Sequence, residues 1–428
     1  MLDIKAIREN PDLFKKALKR KGIEASQIDD LLKADKAHRE SLQKAESLKA
    51  EQNEASKKIP TLTGTEKEKV LGEMKKIAEE RKKAEEIVEK NGVEQILYSL
   101  PNMPFDEVPM GATEDDNKVM QEFGSHPKFS FKVRDHVEIG ERTDTIDIET
   151  ARQTSGSRFA VLKGKGALLE WALQKFVLDK LMKEKFIPVI PPMMIRGQTV
   201  HEAGKSAGTL EHALDAPEKF TFPEDDLSMI GTAEHVLCSF HREEVLDSAT
   251  LPVKYCGWSS CFRREAGAAG KDTRGIIRVH QFEKLEMFIF SDPEKSREEH
   301  QRILKLQRSI WDDLGIPYRV VENCTGDIAW SDAQMYDIEA WLPSQDAYRE
   351  VTSGSNCTDF QSRRTKTKFK NNEGKKEFVH TLNATAIAIQ RAIVAIYENF
   401  QNEDGSVNIP KNLQSYCGFD TIEVKKEA

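Results

Sequence analysis

Charged or aromatic side chains recur at every second position from 278 to 286, near the end of segment 252–291. Aromatic and β-branched residues cluster at both ends of this segment and glycines in its middle, a pattern that predicts two strands joined by a loop. Because successive residues of a strand point to opposite faces, we expect one face of the second strand to be apolar. The other face carries charges around an aromatic ring: Arg278, His280, Phe282, Lys284 and Glu286.

The first strand places Arg263 and Glu265 on one face by the same alternation, and the loop after it contains Gly267, Gly270 and Gly275. Unpaired charges are costly to bury in a sheet, so these side chains either bind a polar ligand or pair with one another in salt bridges. Arginine suits the first alternative, because its planar guanidinium binds two carboxylate or phosphate oxygens at once. The residue types alone leave both alternatives open.

The sequences FRREAG and DTRGIIRVHQFEKLEMF in this segment resemble motif 2 of the class II aminoacyl-tRNA synthetases, in particular of the seryl-tRNA synthetases. The resemblance implies that Arg263 binds the α-phosphate of ATP and the carboxylate of the amino acid, and that Glu265 contacts the adenine edge. It also assigns Arg278 to a phosphate, Phe282 to the adenine face and Glu286 to the substrate's ammonium group.

Two later segments resemble other parts of the same family's site. In YREVTSGSNCTDFQSRR, Glu350 and Ser353 match positions that coordinate Mg²⁺ and bind ATP, and oxygen ligands suit that ion. TLNATAIAIQRAIVAIYENF, for which we predict a helix beginning near Asn383, resembles motif 3. The resemblance assigns Arg391 to the ATP phosphates, so that Arg263 and Arg391 are the catalytic pair, and Thr385 to the serine side chain. The remaining ATP contacts that it implies are Arg264, Val351 and Thr352.

The tripeptide Thr232-Ala233-Glu234 resembles the family's short element that contacts the amino acid, which assigns Thr232 and Glu234 to L-serine. By residue type alone, a threonine followed by glutamate is equally typical of a helix start. Residues 201–220 depart from the family, whose bacterial members usually carry G-T-G-Q-L-P-K-F in the segment that covers the amino acid. We expect His201 and His212 in this segment to lie in a surface loop rather than to be ligands.

Residues 27–98 repeat apolar side chains at spacings of three and four in two runs separated by IPTLTGT. So short a connection predicts an antiparallel coiled-coil hairpin, about 45–50 Å long at the helical rise per residue. Its dense charge suits a solvated spacer, a dimerisation coil or an arm that meets phosphates. The resemblance favours the third and implies contact with tRNA(Ser). The lysines that would face phosphates are Lys57, Lys58, Lys75, Lys76, Lys82 and Lys83.

We expect three parts in the chain: an N-terminal helical arm at 1–99, a proline-rich linker at 100–111 and a catalytic domain at 112–428. The resemblance implies an α+β fold, in which an antiparallel sheet forms the class II catalytic domain behind the coiled-coil arm. A predicted helix from about Ala167 and the strand after it resemble motif 1, which implies a homodimer.

The 428 residues carry a formal net charge of −8, which argues against indiscriminate nucleic-acid binding. Residues 1–100 hold 22 Lys+Arg and 20 Asp+Glu, a balance of +2, and the remainder is acidic. No apolar run is long enough to span a bilayer and the first residues are charged, so we predict a cytoplasmic protein without membrane contact. The six cysteines show no C-x-x-C spacing, so we expect reduced thiols and no structural zinc.

The resemblance implies a serine–tRNA ligase that uses ATP with Mg²⁺, forms seryl-adenylate and passes the seryl group to the 3′ end of the tRNA. Two alternatives stay open at this stage. One is an arm-bearing relative that loads another small amino acid or a carrier protein. The other is a paralogue that only binds RNA, for which loss of the charged site residues would be typical, whereas this sequence retains them.

Overall fold

The computed structural model describes residues 1–90, 92–204, 217–266 and 274–426. The chain forms two compact units, one of residues Leu2–Leu100 and one of Pro101–Ala428 together with Met1. Gly267, Gly270 and His212 lie outside the described residues.

The first unit is a helical hairpin with short helices at its two ends. Helices α3 and α4 are joined through a short turn at Ile59–Thr61 and run antiparallel. Arg81 of α4 donates a hydrogen bond to Gln52 of α3 at 2.7 Å, and Lys44 pairs with Glu80 at 3.4 Å. The 34 residues of α3 give a length of about 50 Å. The helices are α1 Ile4–Glu9, α2 Pro11–Lys19, α3 Ala25–Lys58, α4 Gly64–Lys90 and α5 Val93–Tyr98.

The predicted seam of the hairpin is mostly buried at the end away from the connecting turn and half-buried towards the turn. Leu31, Ala45, Leu48 and Ala84 are buried, whereas Leu42 is exposed. An apolar stripe this narrow agrees with helices whose other positions are charged.

The second unit is built on an eight-stranded sheet within the described residues, in the order β1-β11-β12-β13-β16-β10-β9-β4. All neighbouring pairs are antiparallel except β4, which runs parallel to β9. The strands are β1 Lys118–Phe123, β2 Ile146–Asp147, β3 Val161–Leu162, β4 Ile187–Val189, β5 Met194–Arg196, β6 Thr221–Phe222, β7 Leu227–Met229, β8 Val245–Asp247, β9 Val253–Phe262, β10 Gln281–Ser291, β11 Tyr318–Glu322, β12 Gln334–Leu342, β13 Ala347–Asn356, β14 Lys368–Lys370, β15 Lys376–Phe378, β16 His380–Ala388, β17 Val407–Asn408 and β18 Thr421–Ile422.

The main core lies between this sheet and three of the helices, α8, α11 and α13. Apolar side chains of the three helices, such as Leu173, Trp311 and Ile393, pack against Leu285 and Ile387 of the sheet. No helix in the described part of the chain has the length and apolarity needed to cross a membrane. The helices of this unit are α6 His136–Arg142, α7 Ile148–Ser155, α8 Lys165–Lys183, α9 Gly197–Ala203, α10 Glu234–Cys238, α11 Ser296–Leu314, α12 Phe360–Thr365, α13 Ile389–Asn399 and α14 Lys411–Cys417.

The prediction of a helix from Asn383 is wrong for the first residues of that segment. Residues His380–Ala388 form strand β16, and the helix α13 begins at Ile389. Strand β16 pairs with β10 on one side and β13 on the other, and both of its faces are buried. A strand buried on both faces shows no alternation of apolar and polar residues, so its sequence pattern does not distinguish it from a buried helix.

The two strands of segment 252–291 are shorter than predicted. Strand β9 ends at Phe262 and β10 begins at Gln281, so Arg263, Glu265, Arg278 and His280 lie beyond the strand ends. The amide of Arg263 still donates to the carbonyl of His280 at 3.0 Å, but Glu265 leaves the extended conformation with a φ of 52°. The charged row on β10 stops at Glu286, because the next side chains on that face, Phe288 and Phe290, are buried in a second apolar cluster.

Candidate active site

Segments from distant parts of the chain meet around one cavity of about 190 Å³ in the second unit. Its walls come from the ends of β9 and β10, from β13, and from the junction of β16 with α13. Nine residues of the sequence-predicted site line it: Arg263, Glu265, Arg278, Phe282, Glu350, Val351, Ser353, Thr385 and Arg391.

The two arginines predicted as the catalytic pair face the same cavity and are held by different contacts. The Nε of Arg263 donates to the carbonyl of Gly231 at 3.2 Å, and its guanidinium carbon lies 5.2 Å from the ring centroid of Phe282. The Nη1 of Arg391 donates to the backbone carbonyl of Glu350 at 2.7 Å and pairs with its carboxylate at 3.2 Å. Each guanidinium is therefore oriented by protein groups before any ligand enters.

Electrostatics couple the walls of the cavity to one another. The charge of Arg391 lowers the pKa of Glu350, and Arg263 and Arg278 act in the same direction. Glu350 is therefore an anion among cations. Asp337, which lies opposite Ser353 in the register of β12 and β13, has a pKa well above its ordinary value because of burial and the nearby charge of Glu350. Arg278 pairs with Glu265 at 3.3 Å.

A second cluster of polar side chains lies on the neighbouring strands β10 and β16 and consists of Lys284, Glu286 and Thr385. Glu286 and Thr385 are opposite one another in register, and the Thr385 hydroxyl donates to the Glu286 carboxylate at 3.3 Å. Lys284 pairs with the same carboxylate at 2.5 Å. Glu286 is 2% exposed and does not itself line the cavity, whereas its two partners, Lys284 and Thr385, do. The resemblance assigns no role to Lys284, although its position between Phe282 and Glu286 on the charged row indicates that its side chain faces the site.

Gln307 of α11 joins the two strands that form the floor of the cavity. The pairing of β13 with β16 reaches as far as Gly354 opposite Ala384. At the next position the strands separate, and the carbonyls of Ser353 and Thr385 each accept a hydrogen bond from the Nε2 of Gln307 at 2.9 Å. No local pattern in the sequence indicates this contact, because Gln307 occupies an ordinary position of an amphipathic helix.

Comparison with known proteins identifies both units of the chain. Residues 1–104 match the family model described as seryl-tRNA synthetase N-terminal domain, and residues 219–400 match tRNA synthetase class II core domain (G, H, P, S and T). The serine–tRNA ligase of Thermobifida fusca (strain YX) is 44% identical over 424 residues, which are 99% of each chain. The chain belongs to the seryl-tRNA synthetase family.

Solved structures of the seryl-tRNA synthetase family have the same fold. The Pyrococcus horikoshii enzyme, complexed with ATP, aligns over 100% of both chains with a TM-score of 0.91 and 39% identity. The cytoplasmic serine–tRNA ligase of Naegleria fowleri, in complex with AMP, aligns over 100% of this chain and 99% of its own, with a TM-score of 0.86 and 32% identity. The resemblance found in the sequence and the predicted α+β fold, with its antiparallel sheet and helical arm, are confirmed.

Five residues that the resemblance to seryl-tRNA synthetases implied do not line the cavity, and they are Glu286, Arg264, Thr352, Thr232 and Glu234. The Nε of Arg264 donates to the carbonyl of Lys219 at 2.7 Å, and Thr352 is buried between two cavity-lining neighbours. Thr232 and Glu234 lie at the start of α10, where Thr232 accepts a hydrogen bond from the amide of Glu234 at 3.2 Å. Their ligand-binding roles stay predictions.

Glu234 and the nearby helix α9 belong to a buried polar network. Gln361 donates to Glu234 at 2.9 Å and to the carbonyl of Ala203, the last residue of α9, at 2.8 Å. His201 lies in this helix and is buried, so the expectation of a surface-loop histidine is wrong at that position. The helix forms because Val200 packs with Ile230 in a small apolar cluster, which the loop-like composition of the segment did not indicate.

The chemistry of Glu350 and Ser353 fits a Mg²⁺ that is shared with a nucleotide. Both residues line the cavity, and Glu350 keeps its negative charge. Among the described residues, no group of three or more His, Cys, Asp and Glu side chains is arranged to hold a metal ion by itself. Mg²⁺ is commonly bound by one or two protein oxygens together with substrate phosphates, which is the arrangement that these two residues allow. All six cysteines are free thiols.

Proposed function

We propose that the protein is a serine–tRNA ligase, which activates L-serine with ATP and transfers the seryl group to tRNA(Ser). The observation that carries this proposal is the convergence of Arg263, Glu350 and Arg391 on a single cavity that Thr385 and Lys284 also line, with Glu286 paired to Lys284 behind it. These residues supply cations for phosphates at one end and a carboxylate for an ammonium group at the other.

At the nucleotide end, the carboxylate of serine attacks the α-phosphorus of ATP, and pyrophosphate leaves with the electrons of the bond that breaks. Arg263 and Arg391 bind oxygens around this phosphorus and offset the negative charge that accumulates on them. Phe282 provides an aromatic face for the adenine, and Glu265 an acceptor for its edge. No side chain acts as a nucleophile, so the protein contributes by holding the two substrates in a reactive orientation.

The cation ligands Glu350 and Ser353 would hold Mg²⁺, which when bound neutralises phosphate charge. The direct contact between Glu350 and Arg391 places the protein's anionic metal ligand and its phosphate-binding cation side by side. This arrangement supports the binding of ATP and Mg²⁺ together, as one complex.

At the amino-acid end, Glu286 accepts the ammonium group of serine and Thr385 lies within reach of the serine hydroxyl. Thr385 and Lys284 line the cavity at this end, and the volume of the whole cavity is about 190 Å³. A small pocket with polar groups suits serine better than a larger or purely apolar amino acid. We also propose that Thr232 and Glu234 contact the bound serine, although neither residue lines the cavity in this structure.

We further propose that residues 1–99 form the tRNA-binding arm, 100–111 the linker and 112–428 the catalytic domain of a cytoplasmic homodimer. Exposed lysines on α3 and α4 support phosphate contacts by the arm. Exposed apolar side chains recur on α8, on β4 and in the residues that follow, which supports a dimer interface, since single exposed apolar residues are ordinary. The most exposed of these side chains include Trp171 at 62% and Ile190 at 85%.

The proposal is tested by ATP–pyrophosphate exchange with serine, glycine, alanine and threonine, followed by charging of total tRNA with labelled serine. We expect exchange that depends on serine and a charged tRNA fraction. Exchange with another amino acid and none with serine would favour the relative that loads a different substrate. Binding of tRNA without any exchange would favour a non-catalytic paralogue.

A further inference from the structure

Residues 274–278, which precede β10, run past the first turn of α6 to the cavity. Arg274 pairs with Asp135 at 3.5 Å, and Asp135 also caps α6 by accepting a hydrogen bond from the amide of Glu138. The next residues, Ile276 and Ile277, line the nucleotide cavity together with Arg278. The position of this wall is therefore set by what holds its backbone against α6.

His136, the first residue of α6, makes the central contact. Its Nε2 accepts a hydrogen bond from the backbone amide of Ile276 at 3.2 Å, and its Nδ1 lies 3.0 Å from Oε1 of Glu398 in α13. An amide can only donate, so Nε2 carries no proton, and the ring proton on Nδ1 is donated to Glu398. The structure thus fixes the tautomer of His136 from both sides.

Glu398 is fully buried and is itself held in place. Its Oε1 also accepts from the backbone amide of His136 at 3.3 Å, and its Oε2 accepts from the amide of Ser344 at 3.1 Å. A buried carboxylate with these partners orients the imidazole ring, and hydrogen bonds to a charged acceptor are stronger than those to a neutral one.

Gly275 allows the close approach on which this contact depends. Its φ is +83°, a conformation that residues with a Cβ rarely adopt, and a Cβ at this position would lie 2.0 Å from the Nε2 of His136. Two independent features of the chain, the glycine and the histidine tautomer, therefore favour the same position of the backbone.

We propose that His136, oriented by Glu398, is a positioning residue for ATP: it holds the backbone at Gly275–Ile276 so that Ile276, Ile277 and Arg278 form the wall of the nucleotide cavity. The proposal deepens the proposed function and rests on it. A positioning role differs from a purely structural one in its effect on the substrates. Loss of the contact between His136 and Ile276 weakens ATP binding more than serine binding.

Two substitutions separate the two hydrogen bonds of the ring. Glutamine places a side-chain oxygen near the position of Nε2, and asparagine places an amide nitrogen near that of Nδ1. H136Q therefore retains an acceptor for Ile276, whereas H136N retains a donor for Glu398 and leaves the buried amide unpaired. The matched control is Y397F, on the residue next to Glu398, which loses the hydrogen bond of 2.7 Å to Thr145.

The measurement is serine-dependent ATP–pyrophosphate exchange, with KM for ATP, KM for serine and kcat for each folded variant and its Tm. For H136N we expect KM for ATP to rise about tenfold or more, since a buried amide without an acceptor costs at least a factor of this order. We expect a smaller rise for H136Q, and for Y397F a lower Tm with KM for ATP as in the wild type.

Equal rises in KM for ATP in H136N and H136Q, or no rise in either, would overturn the proposal. If H136N does not fold, G275A replaces it, and an unchanged KM for ATP in G275A would overturn the proposal as well. The wild-type protein is assayed first. A wild type without serine-dependent exchange contradicts the proposed function, whereas an active wild type leaves the variants to decide on His136 alone.

Discussion

Replacing Gln307 by leucine should weaken the fold and the active site together. The substitution removes the two hydrogen bonds that the side chain donates to the carbonyls of Ser353 and Thr385, both of 2.9 Å. Gln307 is 1% exposed, so water does not replace the lost donor. A buried polar group left without a partner costs about 1–3 kcal/mol, and two such carbonyls give about 2–6 kcal/mol. Leucine is more apolar than glutamine and offsets part of this, so we expect a loss of about 2 kcal/mol or more in the free energy of unfolding.

The same substitution should raise KM for both substrates, because Ser353 and Thr385 lie on opposite sides of the gap that Gln307 bridges. Urea unfolding gives the change in stability, and ATP–pyrophosphate exchange gives KM for ATP and for serine. Q301L is the matched control in the same helix, since the amide of Gln301 reaches the hydroxyl of Tyr336 at 3.4 Å, near the limit of a hydrogen bond. If Q307L were as stable as Q301L and had wild-type KM values, the bridge would not support the cavity.

Four further predictions follow from the site and the arm. Arg263→Ala should abolish adenylate formation in the exchange assay but leave tRNA binding largely intact in a filter-binding assay. Deletion of Gln27 to Leu97 should do the reverse, and a deletion protein that still charges tRNA efficiently would refute the role of the arm. E350Q should raise the Mg²⁺ concentration needed for half-maximal exchange, since the backbone carbonyl of Glu350 continues to hold Arg391 at 2.7 Å while the anionic ligand is lost. Burial raises the pKa of Tyr397 to about 12, so its contribution to stability is complete below pH 10 and is lost as the pH rises towards 12; in alkaline unfolding, Y397F should lose about 2–3 kcal/mol less than the wild type over this range.

Several candidate site residues could be singled out in the sequence because their charges are unusual for their surroundings, whereas their roles were implied by the resemblance to the family. Charges at alternate positions of a strand, such as Lys284 and Glu286, and an arginine in an apolar segment, such as Arg391, are costly unless they meet a partner. The helical hairpin was equally accessible, since its spacing of threes and fours extends over two long runs. These features depend on residues that are close together in the chain, so they can be predicted from a single sequence.

Other features depend on contacts between distant segments. The part of β16 from Asn383 onwards is predicted as helix because its small apolar residues are buried on both faces and show neither period clearly. Arg264 follows Arg263 directly, yet the two side chains are held by carbonyls from different segments, those of Lys219 and Gly231. The contacts of His136 with Glu398 and of Gln307 with Thr385 join residues that are 262 and 78 positions apart. No spacing rule connects such pairs, so the structure was needed to find them.

The central claim is that ATP and serine lie in one continuous cavity between the arginine pair and Glu286. A crystal structure with a non-hydrolysable analogue of seryl-adenylate tests this most directly. We expect the adenine against the ring of Phe282, the phosphate-like group within hydrogen-bond distance of Arg263, and the ammonium group at Glu286. An analogue bound at another surface, or one whose ammonium group lies away from Glu286 while Arg263 contacts solvent, would contradict the account.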